Sequence, residues 1–303
     1  MKGMELSKKY FNDIAYPLIK EKFPKLRGRL AYGLVGEGSE CYGLDDDLSK
    51  DHDFYPRLMI WMEDSDFNKY GRDIKEFLSK ESRDFDYEKA HLNFRTGPIS
   101  IGDFYQRYTS FKKFPIADLD YFKIPETFLS IATNGEVFLD ELGEFSKIRS
   151  YLKSHYPEDV YLKKLAKALS LMGQAGQYNY PRSIQRSDIS ASFLAKAEFV
   201  ENTYHALFLL SRNYMPYYKI TARYLRKLNY YPEELLDDIL KIESLNDSKL
   251  LIELIEKVSI YLVDILRYRD LVSIRDNFLP NVAENLMENI ENKTIRSMHI
   301  MEG

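Results

Sequence analysis

The chain has 303 residues, of which 45% are hydrophobic and 30% are charged, and its formal net charge is -4. This balance provides enough apolar material for the cores of two domains of ordinary size, and it excludes an intrinsically disordered chain. The mildly acidic charge also disfavours a protein that coats nucleic acid without specificity.

Cysteine content and hydropathy suggest a cellular location. The single cysteine, Cys41, cannot form an intramolecular disulfide, and no Cys/His cluster predicts structural zinc. The first nine residues are polar and lack the apolar core of a signal peptide. No run reaches the roughly 18 to 20 apolar residues that a membrane span needs. We therefore expect a cytoplasmic protein that has no membrane partner.

The first third of the chain alternates between helical and strand-like patterns. Apolar residues at helical spacing predict helices, and short aromatic and aliphatic runs between turn residues predict strands. In chain order the predictions are a helix over 5–22, strands over 29–35 and 54–62, a helix over 66–80 that Asp66 caps, and strands over 90–94 and 99–101.

Beyond about residue 115 helical periods dominate and few strand-like alternations remain. The predicted helices cover 145–152, 159–173, 187–211, 232–242, 250–270 and 277–292. We predict an α+β fold, with a small mixed-sheet α/β domain over 1–125 and an all-helical domain over 126–303. The apolar stripe over 250–266 is consistent with core or with a dimer face, and we expect core.

A glycine-rich turn and a pair of acids form the most informative stretch. Gly36-Glu37-Gly38-Ser39 follows a predicted strand, and such a turn lets backbone N–H groups and a hydroxyl approach an anion. Asp51 comes twelve residues after Ser39, and Asp53 enters the next predicted strand. Residues i and i+2 of a strand share a face, so these carboxylates lie side by side and suit Mg²⁺ or Mn²⁺. The pattern indicates metal-assisted phosphoryl or nucleotidyl transfer.

Val35, Gly38-Ser39 and Asp51-His52-Asp53 resemble the motif of the polymerase-β-like nucleotidyltransferases, in which a hydrophobic residue and Gly-Ser precede Asp-x-Asp. The resemblance implies that Gly38 and Ser39 bind the triphosphate of an NTP, for which we expect ATP. It also implies that Asp51 and Asp53 hold the metal ion and are catalytic. The predicted α/β domain is then a nucleotidyltransferase domain.

The helical half resembles part of a bacterial group that joins such a domain to a helical domain of uncharacterised function. The similar segments are Asn134-Gly135-Glu136-Val137-Phe138, Gly173-Gln174 and Pro216-Tyr217-Tyr218-Lys219. The resemblance also implies a third acid from a later strand, for which Asp103 is the candidate, with His91 and Arg95 nearby in sequence. Without a third acid, a one-metal enzyme or an inactive relative is the alternative.

Glu198 and Lys219, both in the helical half, are candidates for roles in the reaction itself. Glu198 and Asn202 are four residues apart on a predicted helix, so they share a face, as a general base and its neighbour would. Lys219 is the candidate for a lysine that binds the triphosphate. A polar cluster between residues 174 and 188, which includes Arg182 and Arg186, is either a wall for the substrate or a solvated loop.

Three functions remain open at this point. The first is transfer of NMP from an NTP to a small hydroxylated acceptor. The second is transfer to a macromolecule, either tRNA or a protein, of which the acidic net charge disfavours tRNA. The third is a nucleotide sensor that has kept the fold without catalysis. A P-loop ATPase is disfavoured because no GxxxxGK[ST] motif occurs.

Overall fold

The structure is a computed structural model that describes residues 1–47, 55–81 and 95–303. Asp51, Asp53 and His91, together with the strand predicted over 90–94, lie outside the described residues. The chain divides into two compact units, one formed by residues 1–117 and 124–155 and the other by residues 118–123 and 156–303. The predicted α+β fold with a helical part is confirmed. Within the described ranges, no helix combines the length and hydropathy that a membrane crossing requires.

A four-stranded mixed sheet lies at the centre of the first unit. Its strands are β1 (Ala31–Leu34), β2 (Met59–Met62), β3 (Gly97–Ser100) and β4 (Glu136–Asp140), in the order β3-β2-β1-β4. Strands β2 and β4 run antiparallel to β1, and β3 runs parallel to β2. One edge of the sheet therefore collects the end of β1 and the beginnings of β2, β3 and β4. We call it the turn edge.

The sheet is covered on both faces, as the fully buried β1 and β2 indicate. The first helical segment runs as α1 (Gly3–Tyr10), a π-helical turn over Phe11–Ala15, and α2 (Tyr16–Lys22). It shares a core with α3 (Asp64–Glu81) and with side chains of β1 and β2. A second aromatic cluster holds the Trp61 ring, which stacks on the Phe145 ring with centroids 3.8 Å apart.

The remaining helices of this unit are α4 (Ile101–Thr109), α5 (Glu126–Thr133) and α6 (Glu144–Lys153). Helix α3 begins before Asp66, so the predicted cap is wrong. The Asp66 carboxylate instead accepts a hydrogen bond of 2.8 Å from Arg29 Nε. The first compact unit extends to residue 155, beyond the predicted domain boundary at residue 125. The reason is that β4 pairs with β1 and so belongs to the sheet.

The second unit is helical. Its longest helices are α7 (Glu158–Met172), α9 (Ile189–Leu210) and α12 (Ser248–Tyr268), and α7 packs against α9 and α13 (Leu279–Glu288). The shorter helices are α8 (Tyr180–Gln185), α10 (Thr221–Leu228), α11 (Glu233–Ser244) and α14 (Lys293–Arg296). The apolar stripe of α12, including Leu251, Val258 and Leu262, is buried, as expected of core.

A π-helical segment over Gly173–Asn179 connects α7 to α8. Two glycines allow its close packing. A Cβ added to Gly173 would lie 2.2 Å from Cδ of Pro280, and one added to Gly176 would lie 2.3 Å from a ring carbon of Phe199. The Gly173-Gln174 pair is therefore explained by contact with α13, and Gly176 by contact with α9.

Lys163 on α7 is fully buried, and its Nζ donates hydrogen bonds to the backbone carbonyls of Ile300 and Glu302. Burial lowers the pKa of Lys163 to about 8, and the nearby charge of Lys167 acts in the same direction. Between pH 8 and its ordinary pKa of 10.5, the unfolded chain therefore binds a proton that the folded chain has lost.

We expect this difference in proton binding to make the folded state gain stability as the pH rises from about 8 to about 10. The free energy of unfolding of the wild type, relative to that of Lys163→Met, should increase by up to about 1.4 kcal/mol per pH unit. Urea unfolding of both proteins at several pH values in this window measures the difference. If the free energies of unfolding of the two proteins change with pH in parallel, the pKa of Lys163 is not lowered by folding.

Candidate functional site

The predicted glycine-serine turn lies at the turn edge, directly after β1. Gly36 and Gly38 have φ angles of +135° and +116°, which side chains rarely allow, and Ser39 begins a short 3-10 helix over Ser39–Tyr42. The helix is closed by a 3.2 Å hydrogen bond from Cys41 N–H to the Gly38 carbonyl. Within the described residues, the N–H groups of Glu37 and Gly38 donate no hydrogen bond.

The loop between α5 and β4 holds this turn from one side. The Asn134 side chain bonds both backbone groups of Gly36. Its Oδ1 accepts from the N–H at 2.9 Å and its Nδ2 donates to the carbonyl at 2.8 Å. The Gly135 N–H donates to the Cys41 carbonyl at 2.9 Å. Arg149 Nη2 in turn donates to the carbonyls of Asn134 and Gly135. The backbone of the turn is therefore fixed by groups far away in sequence.

Arg57, just before β2, holds the turn from a second side. Its guanidinium is buried, donates to the Glu37 carbonyl at 2.8 Å and forms an ion pair with Glu40. Burial acts to lower the pKa of Arg57, but Cys41 and Glu40 outweigh it and raise that pKa. Because burial also raises the pKa of the Cys41 thiol to about 12, the thiol is neutral at pH 7. Glu40 is therefore the countercharge of Arg57.

The more exposed side of the turn carries a second ion pair and a phenol. Arg95 Nη2 lies 2.8 Å from a carboxylate oxygen of Glu37, and both side chains are about two-fifths exposed. The Tyr108 hydroxyl would lie 3.6 Å from a Cβ built on Gly36. Burial, followed by the charge of Glu37, raises the pKa of Tyr108, so the phenol is protonated at neutral pH. The turn thus has guanidinium groups on two sides.

This arrangement is suited to an anion. Two backbone N–H groups, a serine hydroxyl and the nearby Arg95 are the donors that proteins use to bind phosphate oxygens. Within residues 1–47, 55–81 and 95–303, no group of three or more Asp, Glu, His or Cys residues is placed to hold a metal ion. The predicted metal ligands, Asp51 and Asp53, belong to the part of the chain between the turn and β2.

The structure does not bring Asp103 to the turn. β3 ends at Ser100, whose hydroxyl caps α4 by accepting from the Asp103 N–H at 3.0 Å. The parallel register pairs Ser100 with Met62, so Asp103 follows β3 at the edge of the sheet opposite the turn edge. Its carboxylate forms an ion pair with Lys112, which holds its pKa below the ordinary value. At that edge, the carboxylate of Asp103 is therefore paired with Lys112.

The helical candidates lie in the second unit. Glu198 is exposed on α9, and Asn202 is buried and donates through Nδ2 to the Glu198 backbone carbonyl at 2.9 Å. The spacing of four residues is thus explained by a bond to the backbone. Lys219 is exposed just before α10. Arg212 lies over the Tyr161 ring and forms hydrogen bonds with both carboxylate oxygens of Glu158.

The polar cluster between residues 174 and 188 has in part a structural role. Gln177 donates to Glu256 at 2.9 Å and to the Asn277 carbonyl, and it accepts from the Leu279 N–H at 2.8 Å. It therefore connects the π-helical segment to α12 and to the beginning of α13. Arg182 instead stacks on Tyr178 and donates to its hydroxyl. The exposed arginines of this cluster stay candidates for contact with a ligand.

Comparison with protein families gives one match. Residues 121–221 match the model of DUF4037, a domain of unknown function. The matched range includes the Asn134-Gly135 loop that holds the turn, all of α7 and α9, and Lys219. No curated protein and no solved structure matches the chain significantly.

Proposed function

We propose that this chain is a metal-dependent nucleotidyltransferase of the polymerase-β-like type that transfers NMP from an NTP to a hydroxylated small molecule. The observation that carries the proposal is the turn itself. Gly38 and Ser39 follow a buried strand, and the carbonyls of the two residues before them, Gly36 and Glu37, accept hydrogen bonds from Asn134 and Arg57. The sequence places the Asp51/Asp53 pair between this turn and β2, which begins at the same edge of the sheet.

Each part of the turn has a defined role in this proposal. The N–H groups of Glu37 and Gly38 and the hydroxyl of Ser39 bind oxygens of the triphosphate. Arg95 exchanges part of its contact with Glu37 for the phosphate charge. The donor set of Asp51 and Asp53 fits Mg²⁺ or Mn²⁺, which would supply positive charge to the phosphate oxygens. Because the turn is fixed before the nucleotide binds, little reorganisation is needed when charge develops on the phosphate oxygens.

Two residues of the helical unit stay candidates for roles in the reaction. Glu198 is exposed and ionisable, as a general base for an acceptor hydroxyl must be, and Lys219 is an exposed cation suited to the leaving pyrophosphate. The roles of Glu198 and Lys219 come from the resemblance to two-domain nucleotidyltransferases. We also propose that the protein is cytoplasmic. The protein can be incubated with a cell extract and an NTP that carries a label on its α-phosphate. Because acid precipitates tRNA and proteins but not small molecules, label in the precipitate would reveal a tRNA or protein acceptor instead.

The test is calorimetric titration of ATP, GTP, CTP and UTP, with Mg²⁺ and with EDTA, into the wild type and two variants. Asp51→Asn/Asp53→Asn removes the proposed ligands, and Asp46→Asn/Asp47→Asn removes two neighbouring exposed charges as a control. We expect one nucleotide to bind in Mg²⁺ and to lose affinity at least about tenfold in EDTA and in the first variant only.

The other results of this titration lead to different conclusions. Binding that survives both EDTA and loss of the aspartates favours a nucleotide sensor. Absence of binding for all four nucleotides would overturn the proposal.

A further inference from the structure

Two successive peptide groups of the glycine-serine turn are held through their carbonyls. The Gly36 carbonyl accepts a hydrogen bond of 2.8 Å from Asn134 Nδ2. The Glu37 carbonyl accepts one of 2.8 Å from Arg57 Nη2. Both donor side chains belong to buried residues, since Asn134 is 9% exposed and Arg57 is 4% exposed. The direction of each carbonyl is therefore set by a side chain in the interior of the first unit.

A trans peptide group couples the direction of its carbonyl to the direction of its N–H. The group is planar, and its C=O and N–H bonds point in nearly opposite directions. The bond from Asn134 to the Gly36 carbonyl therefore directs the N–H of Glu37 away from Asn134. In the same way, the bond from Arg57 to the Glu37 carbonyl directs the N–H of Gly38 away from Arg57.

These two N–H groups are the backbone donors that the turn offers to an anion. Gly36 is buried, whereas Glu37, Gly38 and Ser39 are partly exposed. Among the described residues, neither the Glu37 N–H nor the Gly38 N–H donates a hydrogen bond. The N–H of Gly36 differs, because it donates to Asn134 Oδ1 at 2.9 Å. The turn thus presents the next two N–H groups on its partly exposed side.

We infer that Asn134 and Arg57 are positioning residues for phosphate, because each of them aims a different N–H group at it. This inference rests on the proposed function, in which the turn binds the triphosphate of an NTP. A peptide group that is free to rotate can turn its carbonyl oxygen toward the phosphate, and the two oxygens then repel each other. A peptide group that is held from behind keeps its N–H in place before the ligand arrives.

Asn134 provides the cleaner test of this role. Its side chain is uncharged, so it acts on the phosphate through the peptide group that it holds. Arg57 carries a charge, but its ion pair with Glu40 balances that charge within the unit. The two residues also act on different peptide groups, so their effects can be separated one N–H group at a time.

NMR measures the directions of the two N–H bonds in the ligand-free protein, because residual dipolar couplings report bond orientation. We expect Asn134→Ala to change the coupling of the Glu37 N–H more than that of the Gly38 N–H. Arg57→Met should do the reverse. Asn134→Asp keeps the acceptor for the Gly36 N–H but loses the donor to the Gly36 carbonyl. It should therefore change the same coupling, and it replaces Asn134→Ala if that variant does not fold. Couplings that stay unchanged, or that change equally at both positions, would overturn the inference.

Calorimetric titration with inorganic triphosphate and Mg²⁺ tests the consequence for binding. The wild type should bind, and Asn134→Ala should raise the dissociation constant at least about tenfold. The matched control is Ser130→Ala on α5, which removes a buried hydrogen bond of 3.0 Å between the Ser130 and Tyr42 hydroxyls. This change affects neither of the two peptide groups, so the control should keep the wild-type dissociation constant. Thermal unfolding followed by circular dichroism checks that the variants are folded.

The possible results separate this inference from the proposed function. Equal triphosphate binding by the wild type and Asn134→Ala overturns the inference and leaves the proposed function standing. An equal loss of affinity in Asn134→Ala and Ser130→Ala also overturns it, because the loss then follows from stability alone. A wild type that binds neither triphosphate nor any nucleotide overturns the proposed function, and the positioning role with it.

Discussion

Replacing Gly135 by alanine is expected to lower the free energy of unfolding by about 3 kcal/mol or more. Gly135 has a φ of +65°, a conformation that costs roughly 1 to 2 kcal/mol for a residue with a Cβ. In addition, the new Cβ would lie 2.0 Å from the Leu34 carbonyl oxygen, which belongs to the backbone of β1. Relief of this clash requires the strands to separate, and overpacking of this kind adds roughly 1 to 3 kcal/mol.

Gly143 provides a matched control for the backbone part of this effect. Its φ is +79°, but a Cβ added there would meet no atom within 4 Å. Gly143→Ala should therefore cost only about 1 to 2 kcal/mol. Urea unfolding measures the loss of unfolding free energy in each variant. The difference between the two losses is the contribution of the clash. Equal destabilisation would mean that the close approach of Gly135 to β1 contributes nothing to the stability of the turn edge.

The second large effect is expected at the ion pair beneath the turn. Glu40→Gln leaves the guanidinium of Arg57 buried without its countercharge, and we expect it to cost about 3 kcal/mol. Arg57→Met should cost a similar amount, because it removes both the ion pair and the hydrogen bond to the Glu37 carbonyl. The double variant should cost less than the sum of the two, since neither charge is then left alone.

A double-mutant cycle by urea unfolding measures this coupling. The exposed pair Arg72–Glu76 on α3, in which the side chains are 89% and 54% exposed, serves as the comparison. Its coupling should stay below about 0.5 kcal/mol, because water screens the charges. Additive effects of Arg57→Met and Glu40→Gln would show that the buried pair is not coupled. Loss of nucleotide binding in either variant would further connect the rigidity of the turn to the proposed function.

Local sequence signals were sufficient for the turn and for most helices. The glycines at 36 and 38 allow positive φ, and the structure uses both of them at the end of β1. The position of Asp103 is indicated by a helix-capping pattern and not by the apolar run before it. Ser100-x-x-Asp103 is a helix-capping pattern, and the helix starts at Ile101, where the apolar run had predicted a strand.

Features that depend on long-range pairing were not predictable in this way. Strand β4 has only five residues and an acid at each end, so its pattern is weak within a helical context. Asn134 gains its role only when it meets Gly36, 98 residues earlier in the chain. The burial of Arg57 was missed for the same reason, because its partners lie on the turn. Asp51 and Asp53 stay predictions from sequence.

The distance along the chain between Gly36 and Asn134 has a consequence for the order of folding. During synthesis, β1 and the turn emerge early, but the groups that fix them arrive only with β4 and Arg149. A fragment that ends at residue 125 would leave β1 as an unprotected edge strand, which invites aggregation. We expect such a fragment to be insoluble, and one that ends after residue 155 to fold. The turn is thus completed late, once about half of the chain has left the ribosome.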